Sequence, residues 1–204
     1  MVMRIITFYT WSYSSLAKKL VSSGKKFGYR IKAIKIKEKG CWGYKVKHKP
    51  SIILKEYIKH GGNFLYLDVD TRILKPLGNL KEKIINNDLC FRRQVYGEGE
   101  YNLGVIGIGN NLKVLDFLKE WNKAVHEEFG QHETVDQKIF SEFIKNSNMQ
   151  IYDLGRQYNF LPNDLYDSSP ENAFIYHYKA SRDNKDHDKW LRGFRRKIID
   201  NTQY

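Results

Sequence analysis

NFLYLDVDTRILKPL, residues 63–77, carries an unbroken apolar run, Phe64 to Leu67, straight into two aspartates one residue apart. A short continuous apolar run suits a strand buried on both faces of a parallel sheet. In open α/β sheets ligands bind beyond the carboxyl ends of such strands, which is where Asp68 and Asp70 fall. Residues at i and i+2 of a strand point to the same side, so both carboxylates are expected to face one site. Like charges that close repel, and a cation beside them relieves the repulsion. Mn²⁺ or Mg²⁺ fits the need, since each accepts hard oxygens, keeps some waters and takes phosphate oxygens as further ligands. The plain alternative is an Asp-rich turn with no ligand. A phosphatase of the D-x-D-x-T type fits poorly, because Arg72 stands where that pattern puts a small residue and the aspartates end the third strand rather than the first.

The flanking sequence supports this placement. Residues 3–9 read as a first strand, and Ser14 or Ser15 as the cap of a helix through Leu16 and Leu20 that stops near Gly28. Residues 30–36 read as a second strand with a lysine-lined outer face. Pro50 suits the first turn of a helix through Ile52, Ile53 and Tyr57, which Gly61-Gly62 ends. This βαβαβ alternation predicts a mainly parallel sheet with helices on both faces. Downstream, residues 88–92, 101–109, 149–154 and 173–178 read as strands. Asn110 or Asn111 caps an amphipathic helix through Trp121, residues 134–145 form another, and residues 186–199 a final basic one.

The 204 residues, 41% hydrophobic and 14% aromatic, suit a single domain with a real core. No run of eighteen apolar residues suggests a membrane span, and MVMRIITFYTW does not resemble a secretory leader. A cytoplasmic protein is therefore expected. Cys41 and Cys90 are too isolated for a disulfide framework or a zinc site. The net charge is +12, and residues 18–59 hold fourteen Lys or Arg against Glu38 and Glu56, which matches the whole excess. Such a face is either a lysine-rich solvated surface or one that attracts polyanions: nucleotide phosphates, acidic glycans or anionic headgroups. A non-enzymatic module that binds nucleic acid or an anionic surface is the rival it raises, although it leaves the paired aspartates unexplained.

The ordered set G-x-W (40–42), K-P (49–50), LYLDVD (65–70), YNLGV (101–105), D-Q (136–137), LP (161–162) and H-Y-x-A-S-R (177–182) resembles the nucleotide-diphospho-sugar transferases. These are glycosyltransferases of the GT-A fold, and the likeness is to small viral and bacterial members, chlorella-virus enzymes among them. It spans residues 3 to 182 and rests on order and spacing rather than on any one motif. It implies a single GT-A domain over 1–204, with residues 1–110 as the nucleotide-sugar and metal-binding half and 111–204 as the acceptor half with the basic C-terminal helix.

The implied activity is metal-dependent transfer of a hexosyl or deoxyhexosyl group from a nucleotide-diphosphate donor, UDP-sugar foremost, to a hydroxyl of a glycan or glycoconjugate. The implied partners are that donor and acceptor, with no specific nucleic acid and at most a peripheral contact with anionic surfaces. The resemblance gives Asp68 the sugar or ribose as well as the metal, Asp70 the metal, and His177 the role of third ligand. Lys179, Ser181 and Arg182 would grip phosphates. Thr7, Phe8, Tyr9 and Thr10 would line the base and ribose, with Phe8 either stacking on the base or serving as core. Lys49, at a helix N-terminus that favours anions, would touch the diphosphate or sugar. Trp42 would be a lid, an acceptor platform or a packing anchor. Asn102 would approach the donor sugar, with Gly104 leaving room. Asp136 and Gln137 would lie by the reacting carbon, Asp136 either deprotonating the acceptor or orienting the sugar. Asn163 and Asp164 are further acceptor-side candidates. The H-x-x-G-x-x-K-P ending of some retaining relatives is replaced here by HYKASR, so retention or inversion stays open.

Overall fold

Phe64, Leu65, Tyr66 and Leu67 are all buried, and the rest of the fold is arranged around them. The computed structural model describes residues 3–37, 47–96, 100–127, 135–162 and 170–178. The four residues form strand β3 (Phe64–Leu67) at the middle of a six-stranded sheet. Its neighbours are β1 (Arg4–Tyr9), parallel, and β6 (Glu100–Ile108), antiparallel. β2 (Ile31–Lys35) extends the sheet beyond β1, while β5 (Leu89–Tyr96) and β7 (Ile151–Asp153) extend it beyond β6, in the order β2-β1-β3-β6-β5-β7. The sheet is mostly parallel, as the element alternation predicts, with β6 running against the others. The reversal has a simple cause. Only residues 97–99 separate β5 from β6, and so short a link permits a hairpin but not a crossover.

Side chains alternate across β3. Phe64 and Tyr66 join Ile53 and Tyr57 of helix α2 (His48–His60), Trp121 of α4 (Leu112–Glu127), and Phe140 of α5 (Val135–Lys145). Leu65 and Leu67 join Leu20 of α1 (Ser14–Lys25), together with Leu80 and Ile84 of α3 (Leu80–Ile85), on the other face. Each face of the sheet is thus covered, which explains the unbroken apolar run.

Most boundaries agree with the sequence reading, and the departures have physical reasons. Gly61 does end α2, at φ +73°, a backbone conformation open to glycine. Asn111 caps α4, its Oδ1 accepting from Val114 N at 3.0 Å, while Asn110 Oδ1 accepts from Gly62 N. Ser14 does not cap α1, because its hydroxyl donates back to Trp11 O at 2.7 Å within a 3-10 turn. The helix at 80–85 and the short strand β4 (Thr71–Ile73) were not anticipated, being too brief to show a period. Burial pushes the Cys90 thiol up to about 12, which makes it an inert core residue. Cys41, Trp42, Asn163, Asp164, Lys179, Ser181, Arg182 and the helix expected at 186–199 lie outside the described residues.

Phe140 touches Phe91, Phe117 and Trp121 ring to ring, at centroid separations of 5.3, 5.2 and 5.0 Å. Phe140→Ala removes all three contacts at once and is expected to cost about 3–5 kcal/mol in denaturant unfolding.

Candidate active site

Asp68 and Asp70 do not lie on the strand itself. β3 stops at Leu67, and a tight turn carries the chain into β4. The turn is closed by Thr71, whose backbone N–H and hydroxyl both donate to Asp68 O, at 3.0 and 2.8 Å. Convergence of the two carboxylates therefore comes from a turn and not from strand alternation, which corrects the i, i+2 expectation. Arg72 braces the turn by donating to the Val69 carbonyl at 3.3 Å and to the Thr71 carbonyl. Burial pulls its pKa down, with Tyr178 and Asp70 acting in the opposite sense.

β4 then pairs antiparallel with β8 (Ile175–His177), Thr71 standing opposite His177. Tyr178 N donates to Asp70 O at 3.0 Å. This two-stranded ribbon brings a histidine more than a hundred residues downstream to the aspartate turn. His177 Nε2 lies 3.3 Å from Asp70 Oδ1 and 3.8 Å from Asp68 Oδ2. One ligand atom from each of the three residues falls within 4.8 Å of the others.

The other oxygen of Asp68 has different work. Asp68 Oδ1 accepts from the Tyr66 hydroxyl at 2.7 Å and faces Lys49 Nζ at 3.3 Å. Tyr66 precedes Asp68 by two residues, and its phenol is held well above the ordinary range by burial and then by Asp68. Lys49, in the first turn of α2, also faces Asp136 Oδ2 at 3.4 Å and the Leu103 carbonyl at 3.5 Å. Burial opposes its charge, but Asp68 and Asp136 outweigh burial and raise its pKa. Asp136 sits in the first turn of α5, anchored by Trp121 Nε1 donating to its carbonyl at 2.9 Å. Burial raises its pKa, and Asp68 adds to the rise, against the pull of Lys49. Two carboxylates, those of Asp68 and Asp136, thus face one buried ammonium, while the third, that of Asp70, faces His177 Nε2.

The sequence-selected residues divide into three groups. Asp68, Asp70, His177, Lys49 and Asp136 come together in this cluster, with Gln137 beside Asp136 in the helix. Thr7, Phe8 and Tyr9 end β1 and Thr10 follows it, Thr7 and Thr10 buried and the Phe8 ring stacked at 6.1 Å on Tyr66. Asn102 and Gly104 lie on β6 against Asp68, whose N–H donates to Gly104 O at 2.8 Å. A Cβ at Gly104 would overlap Cε1 and Nδ1 of His177, so the room this glycine leaves is taken by the imidazole. Two participants were missed. Tyr66 stands two residues before Asp68 in LYLDVD, and its hydroxyl reaches Asp68 Oδ1. Asn159, fully buried and 3.1 Å from His177 Nδ1, had no sequence signal of its own.

The fold is one shared with solved glycosyltransferases. The structure of the apo-form glycosyltransferase GlyE from Streptococcus pneumoniae TIGR4 matches with a TM-score of 0.63 and 19% identity, over 87% of this chain and 55% of that one. A glycosyltransferase involved in the glycosylation of the major capsid of PBCV-1 matches with a TM-score of 0.62 and 18% identity, over 88% of this chain and 93% of that one. The bifunctional glycosyltransferase WbbM, in its apo structure, matches at 0.56 and 11%, over 87% and 46%. The chain therefore spans about half the length of GlyE and of WbbM. No family model matches the sequence, and no curated protein matches it. Among the described residues no helix is long and apolar enough to cross a membrane.

Lys49→Met would leave Asp68 and Asp136 facing each other without their cation, at a cost of about 3–5 kcal/mol near neutral pH. Asp136 has a folded-state pKa above its unfolded value, and losing Lys49 raises it further. The native state then binds a proton that the unfolded chain has released, so the variant loses stability as pH rises above the unfolded value. Urea melts of both proteins across acid to neutral pH are expected to show the deficit widening with pH.

Proposed function

We propose that this protein is a metal-dependent glycosyltransferase that moves a sugar from a nucleotide-diphosphate donor to an acceptor hydroxyl. The observation that carries the reading is the convergence of Asp68, Asp70 and His177 beyond the carboxyl end of β3, in a fold shared with solved glycosyltransferases. Hard carboxylate oxygens and one imidazole suit Mn²⁺ or Mg²⁺. The donor set fits such an ion on its own chemistry, because Asp68 Oδ2 and Asp70 Oδ1 face His177 Nε2 and a cation relieves their mutual repulsion.

When bound, the ion supplies positive charge for the leaving nucleoside diphosphate. The protein's own residues do the rest. Tyr66 and Lys49 hold Asp68 Oδ1, which leaves Oδ2 turned toward His177. Phe8 and Thr7 of β1, with Thr10 just beyond it, line the strand end where a nucleoside would rest. Lys49 sits between Asp68 and Asp136 and ties the metal-side cluster to the first turn of α5. Asp136, already paired with an ammonium and 4% exposed, is better placed to orient the sugar through Lys49 than to take a proton from the acceptor. UDP as the nucleotide, a hexose or deoxyhexose as the sugar, and a glycan or glycoconjugate as acceptor extend the same reading. A polyanion-binding module built on the lysine-rich segment at 18–59 leaves the convergence of Asp68, Asp70 and His177 unexplained, and is the weaker reading.

Thermal-shift screening against a panel of nucleotide sugars, with and without Mn²⁺, tests the proposal. A donor at one hundred times its dissociation constant adds about 2.7 kcal/mol of stability, and the gain is expected only with metal present. Asp70→Ala is expected to lose it, and calorimetry showing native affinity for the nucleotide sugar in that variant would overturn the metal role.

A further inference from the structure

The geometry points to a positioning relay, Gly104–Asn102–Asn159–His177, that selects the His177 tautomer with its proton on Nδ1 and so presents Nε2 as a bare lone pair to Asp68 and Asp70. It deepens the metal-site reading above and rests on it.

Gly104 N is a backbone donor, 2.9 Å from the Asn102 side-chain amide. The atom it meets must be the amide oxygen, since an NH₂ group cannot accept. That same oxygen lies 2.6 Å from the Asn159 amide, so Asn159 must turn its NH₂ toward Asn102. Its oxygen is then left 3.1 Å from His177 Nδ1. A carbonyl oxygen can only accept, and the imidazole must donate from Nδ1. In the neutral ring the remaining nitrogen, Nε2, carries no proton, and it is the one that faces the carboxylates.

The relay is buried and braced. Asn102, Asn159 and His177 are 5%, 0% and 6% exposed. Arg92 donates to the Asn159 carbonyl at 2.8 Å, and Asn159 N donates to Arg156 O at 3.1 Å. The next residue, Phe160, bridges to β8: its N–H donates to Ile175 O and its carbonyl accepts from His177 N, at 3.0 and 2.8 Å. Gly104 lets the ring lie flush on β6, since a Cβ there would overlap Nδ1 and Cε1. Metal-bound histidines are generally oriented through the nitrogen that does not touch the metal. Here an asparagine pair does so, with a backbone amide as its fixed reference. The Oδ1 of Asn102 is thereby committed inside the protein.

Proton–nitrogen correlation spectra of the metal-free native protein, taken at a pH where the ring is neutral, are expected to show His177 protonated on Nδ1. A predominant Nε2-protonated form would overturn the relay. Asn159→Leu is expected to lose the tautomer preference and to bind Mn²⁺ about 10–100-fold more weakly by calorimetry. Native Mn²⁺ affinity in that variant would also overturn it. Should Asn159→Leu fail to fold, the native spectrum decides alone. His177→Ala separates the two readings: if it binds Mn²⁺ as tightly as the native protein, the metal reading fails, while the spectrum still decides the tautomer.

Discussion

The antiparallel contact of β4 with β8 is the constraint on which the site depends. Three residue pairs in register, Thr71 with His177, Arg72 with Tyr176 and Ile73 with Ile175, fix where the imidazole can stand. A shift of one residue would turn His177 to the opposite face and leave Asp68 and Asp70 without it. The ribbon is small, yet all six of these residues are buried, and Leu74 N and Tyr178 N extend its hydrogen bonds at both ends, to Phe174 O and Asp70 O. Burial at a register-sensitive position gives so short a pairing a single geometry.

Electrostatics then shapes the cluster. Asp68 is shared: one oxygen is held by Tyr66 and Lys49, and the other is turned toward His177. Lys49 binds the aspartate turn to α5, which reaches the site because Trp121 holds the Asp136 carbonyl. Trp121 in turn is fully buried among Phe117 and Phe140. An aromatic core residue thus sets the position of a charged one. Low dielectric around Lys49 and Asp136 strengthens their attraction, and it also makes an uncompensated carboxylate costly.

Both faces of β3, the helix that begins at Pro50, the stop at Gly61 and the amphipathic helix through Trp121 were legible because each rests on a local signal: period, cap or breaker. The antiparallel insertion of β6 was not, because strand direction depends on link length and partner, and YNLGV reads the same either way. The DVD pair was legible as a charge anomaly after an apolar strand. Its mode of convergence was misread, since a turn and a strand place i and i+2 differently. Asn159 was invisible: RQYNFLP shows an ordinary loop, and its amide acquires a role only beside residues 102 and 177.

By itself the sequence determined which segments bury their side chains and where like charges must crowd together, because hydrophobic periodicity and charge are properties of neighbouring residues. Tertiary structure alone decided what meets those charges. Lys49, Asp136, Asn159 and His177 are separated along the chain by up to 128 positions, and only strand register, a buried aromatic anchor and a glycine without a side chain bring their polar atoms within hydrogen-bonding or ion-pairing distance.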